Sequence, residues 1–437
     1  MEHTYNYLKT VCQNLKQENK SSPSLIFIVL VLWCIPLSYA FNSMALVALV
    51  GFSLYSYKKA TFSVNPYLLL PIGLFVLMSL SLLWTNDISA SIRAWPKGLP
   101  LLLIPICFGI LPKLTEDHKQ KVLRYFSYGI VLFTLFYMLK ALLRFAMTHE
   151  QGVFFYHELV TEDVNAIHVS VYVVMALFFF VTKPLHTVYD KTSMVLLTVF
   201  LILLSSKNII IIFFVLAAAY YFMVYKTTLT SRMLQLVGFL LVLLIMASIG
   251  KIRDRFLIEF QSNTSENTIN YEIGTITNKV YNVSVAKAWT QDKFNQNDFF
   301  PGTAFRVYQL RIFIEMLQED PIFFTGYGLN ATDFKIIQKR IQHQLYGGYE
   351  KKNFHNEYIQ IFAELGIFGF VILVLMLFFN IKNALKTKDF MHISFAVLMI
   401  SLFLTESFLS RQRGLVFFSM LYCLFNAQIW NVAPTTK

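Results

Sequence analysis

The sequence predicts an all-α fold: a polytopic helical membrane protein with about twelve transmembrane helices and one large external loop domain. Three features of the composition indicate this class, since 56% of the 437 residues are hydrophobic, 16% are aromatic and only 14% are charged. Apolar runs that approach the roughly 20 residues needed to cross a bilayer core recur from Pro23 to Trp430. A single soluble core does not need so many, so we expect the chain to fold in a membrane.

Twelve apolar runs are interpreted as spans, with allowance for helix tilt. They are residues 23–40, 42–57, 66–84, 99–112, 124–145, 166–182, 192–206, 209–224, 233–250, 358–380, 390–408 and 414–431. The resulting order is a tail at 1–22, nine spans within 23–250, a loop domain at 251–357, three spans within 358–431 and a tail at 432–437. An even number of spans puts both tails on one side, and the lysines of the first tail indicate the cytoplasm.

The charges of the short loops agree with this topology, because Lys and Arg favour the cytoplasmic side. Basic residues recur in the loops predicted to be cytoplasmic, whereas loop 146–165, on the other side, holds four acidic residues and no Lys or Arg. The net charge of +12 is therefore explained by topology and by membrane lipids as partners, and nucleic acid is not an expected partner. The four cysteines lie far apart without a CxxC pair, so they indicate neither a disulfide framework nor a metal site.

The topology depends on a helix break at residues 205–208, which read Ser-Ser-Lys-Asn. Without the break, residues 192–224 would form one helix of about 50 Å, against a hydrocarbon core of about 30 Å. With it, Lys207 and the whole of 251–357 are predicted to lie on the outer face.

Basic residues on that outer face oppose the usual bias, so they indicate an anionic ligand such as a pyrophosphate-linked lipid. They are Arg93 and Lys97 after the third span, Lys207 at the break, Arg306 and Arg311 in the loop domain, and Arg411 and Arg413 before the last span. Residues 303–321 have helical spacing. Arg311 therefore lies about 140° round the helix from Arg306, and both cannot face one ligand.

A polar cluster precedes the tenth predicted span and includes His355, Asn356 and Glu357. Imidazole titrates near neutral pH, so His355 at the mouth of a span is a candidate base. The alternative interpretation is an interfacial residue at a helix start. Likewise, Arg306 would serve structure alone if it paired with Glu315, and Lys207 if it only reached the head groups.

Several motifs together resemble the O-antigen ligase and polymerase superfamily. They are His355-Asn356-Glu357-Tyr358 with Glu364, Gly366 and Gly369 behind it, the Arg306 helix ending at Pro321 before a Gly-x-Gly turn, the Ser-Ser-Lys-Asn break, and the stretch from Glu406 to Phe418. The resemblance covers roughly residues 195–375, and the final stretch is similar to members from the Bacteroidetes lineage. From the residues alone, Gly366 and Gly369 indicate close helix packing.

The resemblance implies a glycosyltransferase of the bacterial inner membrane with its active site facing the periplasm. Such enzymes move a glycan from undecaprenyl pyrophosphate to a sugar hydroxyl of lipid A-core or of another glycan, with no metal, nucleotide sugar or other cofactor. It implies His355 as the base, and Arg306 and Lys207 as the residues that hold the pyrophosphate. The family commonly has Arg at the position of Lys207, and Lys lacks the bidentate fork.

Other functions stay open from the sequence. Within the enzyme class they are a repeat-unit polymerase and a protein O-oligosaccharyltransferase, with the ligase slightly favoured. From other classes, a polyprenyl-glycan transporter or flippase would also have about twelve spans, but its charges usually line the spans, which here hold few ionisable residues. A non-catalytic scaffold leaves the outer His and Arg residues unexplained.

Overall fold

The computed structural model describes residues 22–57, 65–161, 164–183, 185–224, 237–238, 244, 247–265, 268–270, 273–274, 279–349 and 353–427. Its helices are α1 (Ser24–Cys34), α2 (Tyr39–Ser56), α3 (Pro66–Leu80), α4 (Ile88–Gly98), α5 (Pro100–Ile110), α6 (Glu116–Thr148), α7 (Tyr156–Leu159), α8 (Ala166–Thr182), α9 (Val188–Leu204), α10 (Lys207–Ala219), α11 (Gly250–Thr264), α12 (Val285–Thr290), α13 (Gly302–Glu319), α14 (Asp333–Gln342), α15 (Glu357–Thr387), α16 (Phe390–Phe403) and α17 (Gln412–Asn426). Short helical turns lie between these helices at Ser81–Leu83, Gln151–Phe154, Tyr220–Val224 and Gly347–Tyr349.

Four helices of this described part are long and apolar enough to cross a membrane: Tyr39–Ser56, Pro66–Leu83, Glu116–Thr148 and Glu357–Thr387. Shorter apolar helices lie at Ser24–Cys34, Ala166–Thr182, Lys207–Phe222 and Phe390–Phe403. The all-α membrane class is therefore supported, while the number of twelve spans is not confirmed. The predicted span 233–250 falls mostly outside the described residues, as do tail 432–437 and all of tail 1–22 except Ser22. The first predicted span is shorter than expected, because α1 ends at Cys34.

Loops predicted on the same side of the membrane contact each other. At one end of the bundle, Lys119 pairs with Asp389 at 2.6 Å. At the other end, which we call the domain end because α11–α14 lie there, the indole N–H of Trp84 donates to Thr325 O at 2.9 Å. Also at the domain end, Lys207 pairs with Glu259 at 2.7 Å.

The predicted break at 205–208 is confirmed. Helix α9 ends at Leu204, and Ser205 adopts a left-handed conformation with φ 51°. Ser205 Oγ donates to the carbonyl of Ile202 at 3.2 Å, and a new helix, α10, begins at Lys207. Lys207 therefore lies in the first turn of a helix.

The loop domain has its own hydrophobic core, built mainly around the aromatic face of α13 and separate from the core of the bundle. A two-stranded parallel sheet, β1 (Tyr281–Asn282) and β2 (Asp298–Phe299), lies beside it, with Tyr281 opposite Asp298. The same core includes Ile359 and Ala363 of α15. The first turns of α15 therefore anchor the domain to the bundle.

Helix α15 is interrupted at Gly366, which has φ 63° and ψ −162°. The backbone groups that the kink frees are taken up by the turn at residues 323–328: Tyr327 N–H donates to Ala363 O at 2.8 Å, and Ile367 N–H to Phe323 O at 2.8 Å. A Cβ on Gly366 would lie 2.2 Å from Phe324 O. The close packing predicted for Gly366 is thus against the loop-domain turn rather than against another helix.

Candidate active site

His355 lies in the turn that precedes α15, and the side chain of Gln309 holds this turn at two points. Gln309 Oε1 accepts the backbone N–H of His355 at 2.9 Å, and its Nε2 donates to Asn353 O at 2.6 Å. Gln309 is only 2% exposed, on the face of α13 that packs into the domain core. The position of the histidine is therefore set by α13.

The imidazole of His355 is half-buried and stands edge-on to the ring of Phe305, with ring centroids 5.6 Å apart. The next residue, Asn356, caps α15: its Oδ1 accepts Ile359 N–H at 3.1 Å, and its Nδ2 donates to Leu404 O at 3.3 Å. Asn356, predicted to bind substrate, thus uses both ends of its amide within the protein. It fixes the His355 turn to the loop before α17.

Glu357 was predicted to contact substrate, but the structure buries it at 1% exposure. Its Oε2 accepts Leu409 N–H at 2.7 Å. Together with Glu364 and the exposed Lys97, it lines a small cavity of about 50 Å³. Lys97 therefore lies near the first turns of α15.

Arg306 also reaches the loop before α17. Its Nε donates to Thr405 O at 2.9 Å and its Nη1 to Gly302 O at 2.8 Å. Within the described chain Nη2 makes no hydrogen bond. Burial lowers the pKa of Arg306, while Glu406 and Glu259 oppose that shift, and a guanidinium stays charged in proteins. The guanidinium is thus fixed by two hydrogen bonds, and among the described residues its Nη2 has no acceptor, so it could donate to a ligand. It does not pair with Glu315.

Lys207 and Arg306 share an anionic neighbour, Glu259 of α11. Glu259 Oε1 lies 2.7 Å from Lys207 Nζ, and Glu259 Oε2 accepts the N–H of Thr303 in the first turn of α13 at 3.2 Å. Burial raises the pKa of Glu259, but the bonds from Lys207 and Thr303 outweigh it and hold the pKa below its ordinary value. A Cβ on Gly302 would lie 3.0 Å from Arg306 Nη1 and 3.1 Å from Glu259 Oε1. The carboxylate therefore occupies an anion site made of two cations and a helix N-terminus.

The helix break at residues 205–208 is hydrogen-bonded to the end of α16 and to the loop that follows it. Asn208 Nδ2 donates to Thr405 Oγ1 at 2.8 Å and to Ser401 O at 3.0 Å, and its Oδ1 accepts from Ser401 Oγ at 2.8 Å. Asn353 Nδ2 donates to Ser407 Oγ at 2.7 Å. The break, the start of α13 and the His355 turn thus all meet at residues 401–407.

Other predicted site residues make different contacts. Arg311 pairs with Asp292 at 2.7 Å and with Glu315 at 2.9 Å inside the loop domain. It therefore takes part in a separate cluster from Arg306, as the angle between the two residues predicts.

Three further residues predicted to bind the substrate, Arg413, Arg411 and Arg93, lie on or next to helices of the bundle. Arg413 is 6% exposed, donates to Leu37 O at 2.6 Å and stacks on the ring of Tyr39 at 4.5 Å. Its contacts are those of a residue that ties α17 to the start of α2. Arg411 precedes α17 and is exposed, and Arg93 is exposed and donates to Ser89 Oγ at 2.6 Å.

The sequence interpretation missed Gln309, Glu259, Arg255 and Tyr156. Arg255 lies one turn before Glu259 on α11 and stacks on the ring of Tyr156 at 3.7 Å. Its charge lies close enough to Lys207 to act on it. Arg255 and Glu259 are four residues apart, and this spacing on a polar helix could have predicted that both side chains lie on one face. Gln309 gave no local signal, since its partners are more than forty residues away.

The arrangement places a histidine beside the ring of Phe305 and two cations beside the N-terminus of α13, and the segments that carry them all contact residues 401–407. It is suited to removing a proton from one group while stabilising negative charge on another. Within the described residues, no group of three or more His, Cys, Asp or Glu side chains is placed to hold a metal ion.

Comparison with protein families matches residues 192–374 to the family described as O-antigen ligase. The matched region begins in α9, includes Lys207, the loop domain and His355, and ends within α15. It agrees with the region for which the motifs predicted this resemblance. Comparison with curated proteins gives no match to the chain.

Proposed function

With an O-antigen ligase domain at residues 192–374, the chain is a member of the O-antigen ligase and polymerase superfamily, and we propose that it transfers a glycan from undecaprenyl pyrophosphate to a sugar hydroxyl. The superfamily supports a membrane glycosyltransferase of ligase or polymerase type. Within that class we propose lipid A-core as acceptor and the periplasmic face of the inner membrane as the site of transfer.

The anion site around Glu259 carries this proposal. Lys207 and the N–H of Thr303 in the first turn of α13 bond to one carboxylate, and the charges of Arg306 and this carboxylate interact. A pyrophosphate offers more negative charge and more acceptor oxygens than a carboxylate, and Arg306 Nη2, which makes no hydrogen bond to the described residues, adds a donor. We propose that the pyrophosphate takes these donors and displaces Glu259, which neutralises the cations when no donor lipid is bound.

His355 is proposed to take the proton of the acceptor hydroxyl. The hydroxyl oxygen then forms a bond to the anomeric carbon, and the bond from that carbon to the pyrophosphate oxygen breaks. The proton goes to the imidazole, and the negative charge leaves on the lipid pyrophosphate, where Lys207 and Arg306 stabilise it. Attack from the side opposite the leaving group inverts the anomeric centre. The chemistry of this step needs no metal or nucleotide.

Loss of Lys207 is expected to weaken binding of the donor. Hydrogen bonds to charged groups are worth about 1.5–3 kcal/mol, so Lys207→Ala should raise the Kd for a polyprenyl-pyrophosphate glycan roughly ten- to a hundredfold. Glu259→Gln should have the opposite sign, because it removes the competing carboxylate. Titration of the purified variants with the donor measures both. Lys382→Ala, an exposed lysine towards the far end of α15, is the control. If Lys207→Ala and the control bind the donor equally, the proposed pyrophosphate site is incorrect.

Loss of Gln309 is expected to lower kcat with little effect on donor binding, because its amide positions the His355 turn without touching the proposed substrates. Misplacement of a reacting group by about 1 Å can cost on the order of a hundredfold in rate. Gln309→Glu keeps the acceptor for His355 N–H but loses the donor to Asn353, so it should lie between Gln309→Ala and wild type. Equal losses in kcat and donor affinity would instead indicate general unfolding of the domain.

A further inference from the structure

A groove of about 520 Å³ lies on the loop domain, between the parallel strand pair and the turn at residues 346–349. None of the residues assigned above to the reaction lines it. Its volume is within the range of small-ligand sites in proteins. It is therefore a second cavity whose chemistry needs an explanation.

Two tyrosines form one wall of the groove. Tyr346 is 57% exposed, whereas Tyr349 is fixed: its hydroxyl accepts Phe300 N–H at 3.0 Å, and its ring packs on that of Phe305 at 5.1 Å. Gly348 leaves room for the exposed ring, since a Cβ there would lie 2.8 Å from Tyr346 Cε1. An aromatic face held open to water is a surface on which the C–H face of a sugar ring can pack.

The rest of the lining combines the apolar Ile273, Val280 and Phe299 with polar groups of nearly balanced charge. It carries Asn297, which is exposed, with Asp298 and Lys279 of opposite sign. Amide and carboxylate groups both accept from hydroxyls, and the amide and ammonium groups donate to them. A polyhydroxyl ligand matches this mixture better than a phosphate, which would need a surplus of cations.

The groove connects to the catalytic histidine through two ring contacts. Tyr349 packs on Phe305, and Phe305 packs on the imidazole of His355 with centroids 5.6 Å apart. The cationic groups instead lie about Gly302 and residue 405. The groove therefore lies two ring contacts away from the residue proposed to receive the acceptor proton.

We propose that this groove binds the oligosaccharide part of the acceptor, with Tyr346 as the stacking ring. The proposal rests on the proposed function for the identity of that oligosaccharide. Binding energy from sugars remote from the reacting hydroxyl would then raise the affinity for the acceptor without changing the chemical step at His355.

The test is binding of the oligosaccharide released by mild acid from the lipopolysaccharide of the host bacterium, titrated into the full-length protein in detergent. Tyr346→Ala should weaken binding at least tenfold, and Gly348→Ala, which pushes on the Tyr346 ring, should weaken it in the same direction. Tyr189→Ala removes an exposed tyrosine from the first turn of α9 and is the matched control. His355→Ala should still bind. In a transfer assay, Tyr346→Ala should raise KM for the acceptor and leave kcat close to wild type.

Binding of this oligosaccharide by Tyr346→Ala as tightly as by wild type overturns the proposal. Because the titration measures binding without turnover, its result does not depend on whether the protein catalyses the proposed reaction. If wild type binds the oligosaccharide in a Tyr346-dependent way and yet transfers no glycan, the groove stands and the proposed function fails.

Discussion

Replacing His355 with alanine is expected to slow glycan transfer roughly 10²–10⁴-fold, the usual contribution of a positioned general base. A sugar hydroxyl is a poor nucleophile, so loss of the base should affect the chemical step most. Donor binding should be nearly unchanged, because the pyrophosphate is assigned to Lys207 and Arg306. The turn itself should survive, since Gln309 holds it by backbone groups.

The measurement is single-turnover transfer beside donor titration, with His149→Asn as the control. His149 ends α6 in a left-handed conformation that asparagine tolerates, and no role in the reaction is assigned to it. A His355→Ala protein that keeps more than about a tenth of the wild-type rate would rule out His355 as the base.

Gly366→Ala is expected to be strongly destabilising. Its φ of 63° with ψ −162° lies in a region essentially restricted to glycine, at a cost on the order of 1–3 kcal/mol for other residues. A methyl group placed 2.2 Å from Phe324 O adds an overpacking cost of about 1–3 kcal/mol. The loop domain should detach from α15, and both thermal stability and activity should fall.

Thermal unfolding in detergent measures this effect, and Gly73→Ala is the matched control. Gly73 lies within α3 with nothing within 4 Å of an added Cβ, so alanine there should be neutral or stabilising. Equal unfolding temperatures for the two variants would show that the kink at Gly366 does not hold the loop domain on the bundle.

Local patterns in the sequence predicted the helical membrane class and some individual elements of this fold. Hydrophobic runs predicted apolar helices such as α8, whose bounds are those of the predicted span, and the polar run at 205–208 predicted the end of α9. Each of these depends on a few neighbouring residues. The helix period also separated Arg311 from Arg306, because the angle between two residues of one helix is fixed by their spacing.

The partners of the site residues were harder to predict because they come from distant segments. Gln309 meets Asn353 and His355, and Glu259 meets Lys207, through folding that no local period encodes. Asn356 was interpreted as a substrate ligand, yet a polar residue before an apolar helix is also an ordinary N-cap, and the structure shows that cap. A short polar residue at the start of a helix should therefore be interpreted as an N-cap before it is interpreted as a substrate ligand.

The central claim is transfer of a glycan from polyprenyl pyrophosphate by His355 and Arg306. The most direct test is a transfer assay on purified protein in detergent, with a polyprenyl-pyrophosphate glycan as donor and lipid A-core or a second donor molecule as acceptor. Wild type should consume lipid A-core, and neither His355→Ala nor Arg306→Ala should do so at a comparable rate. Folded wild type that binds the donor and transfers it to no acceptor would contradict the account and favour a transporter of polyprenyl-linked glycans.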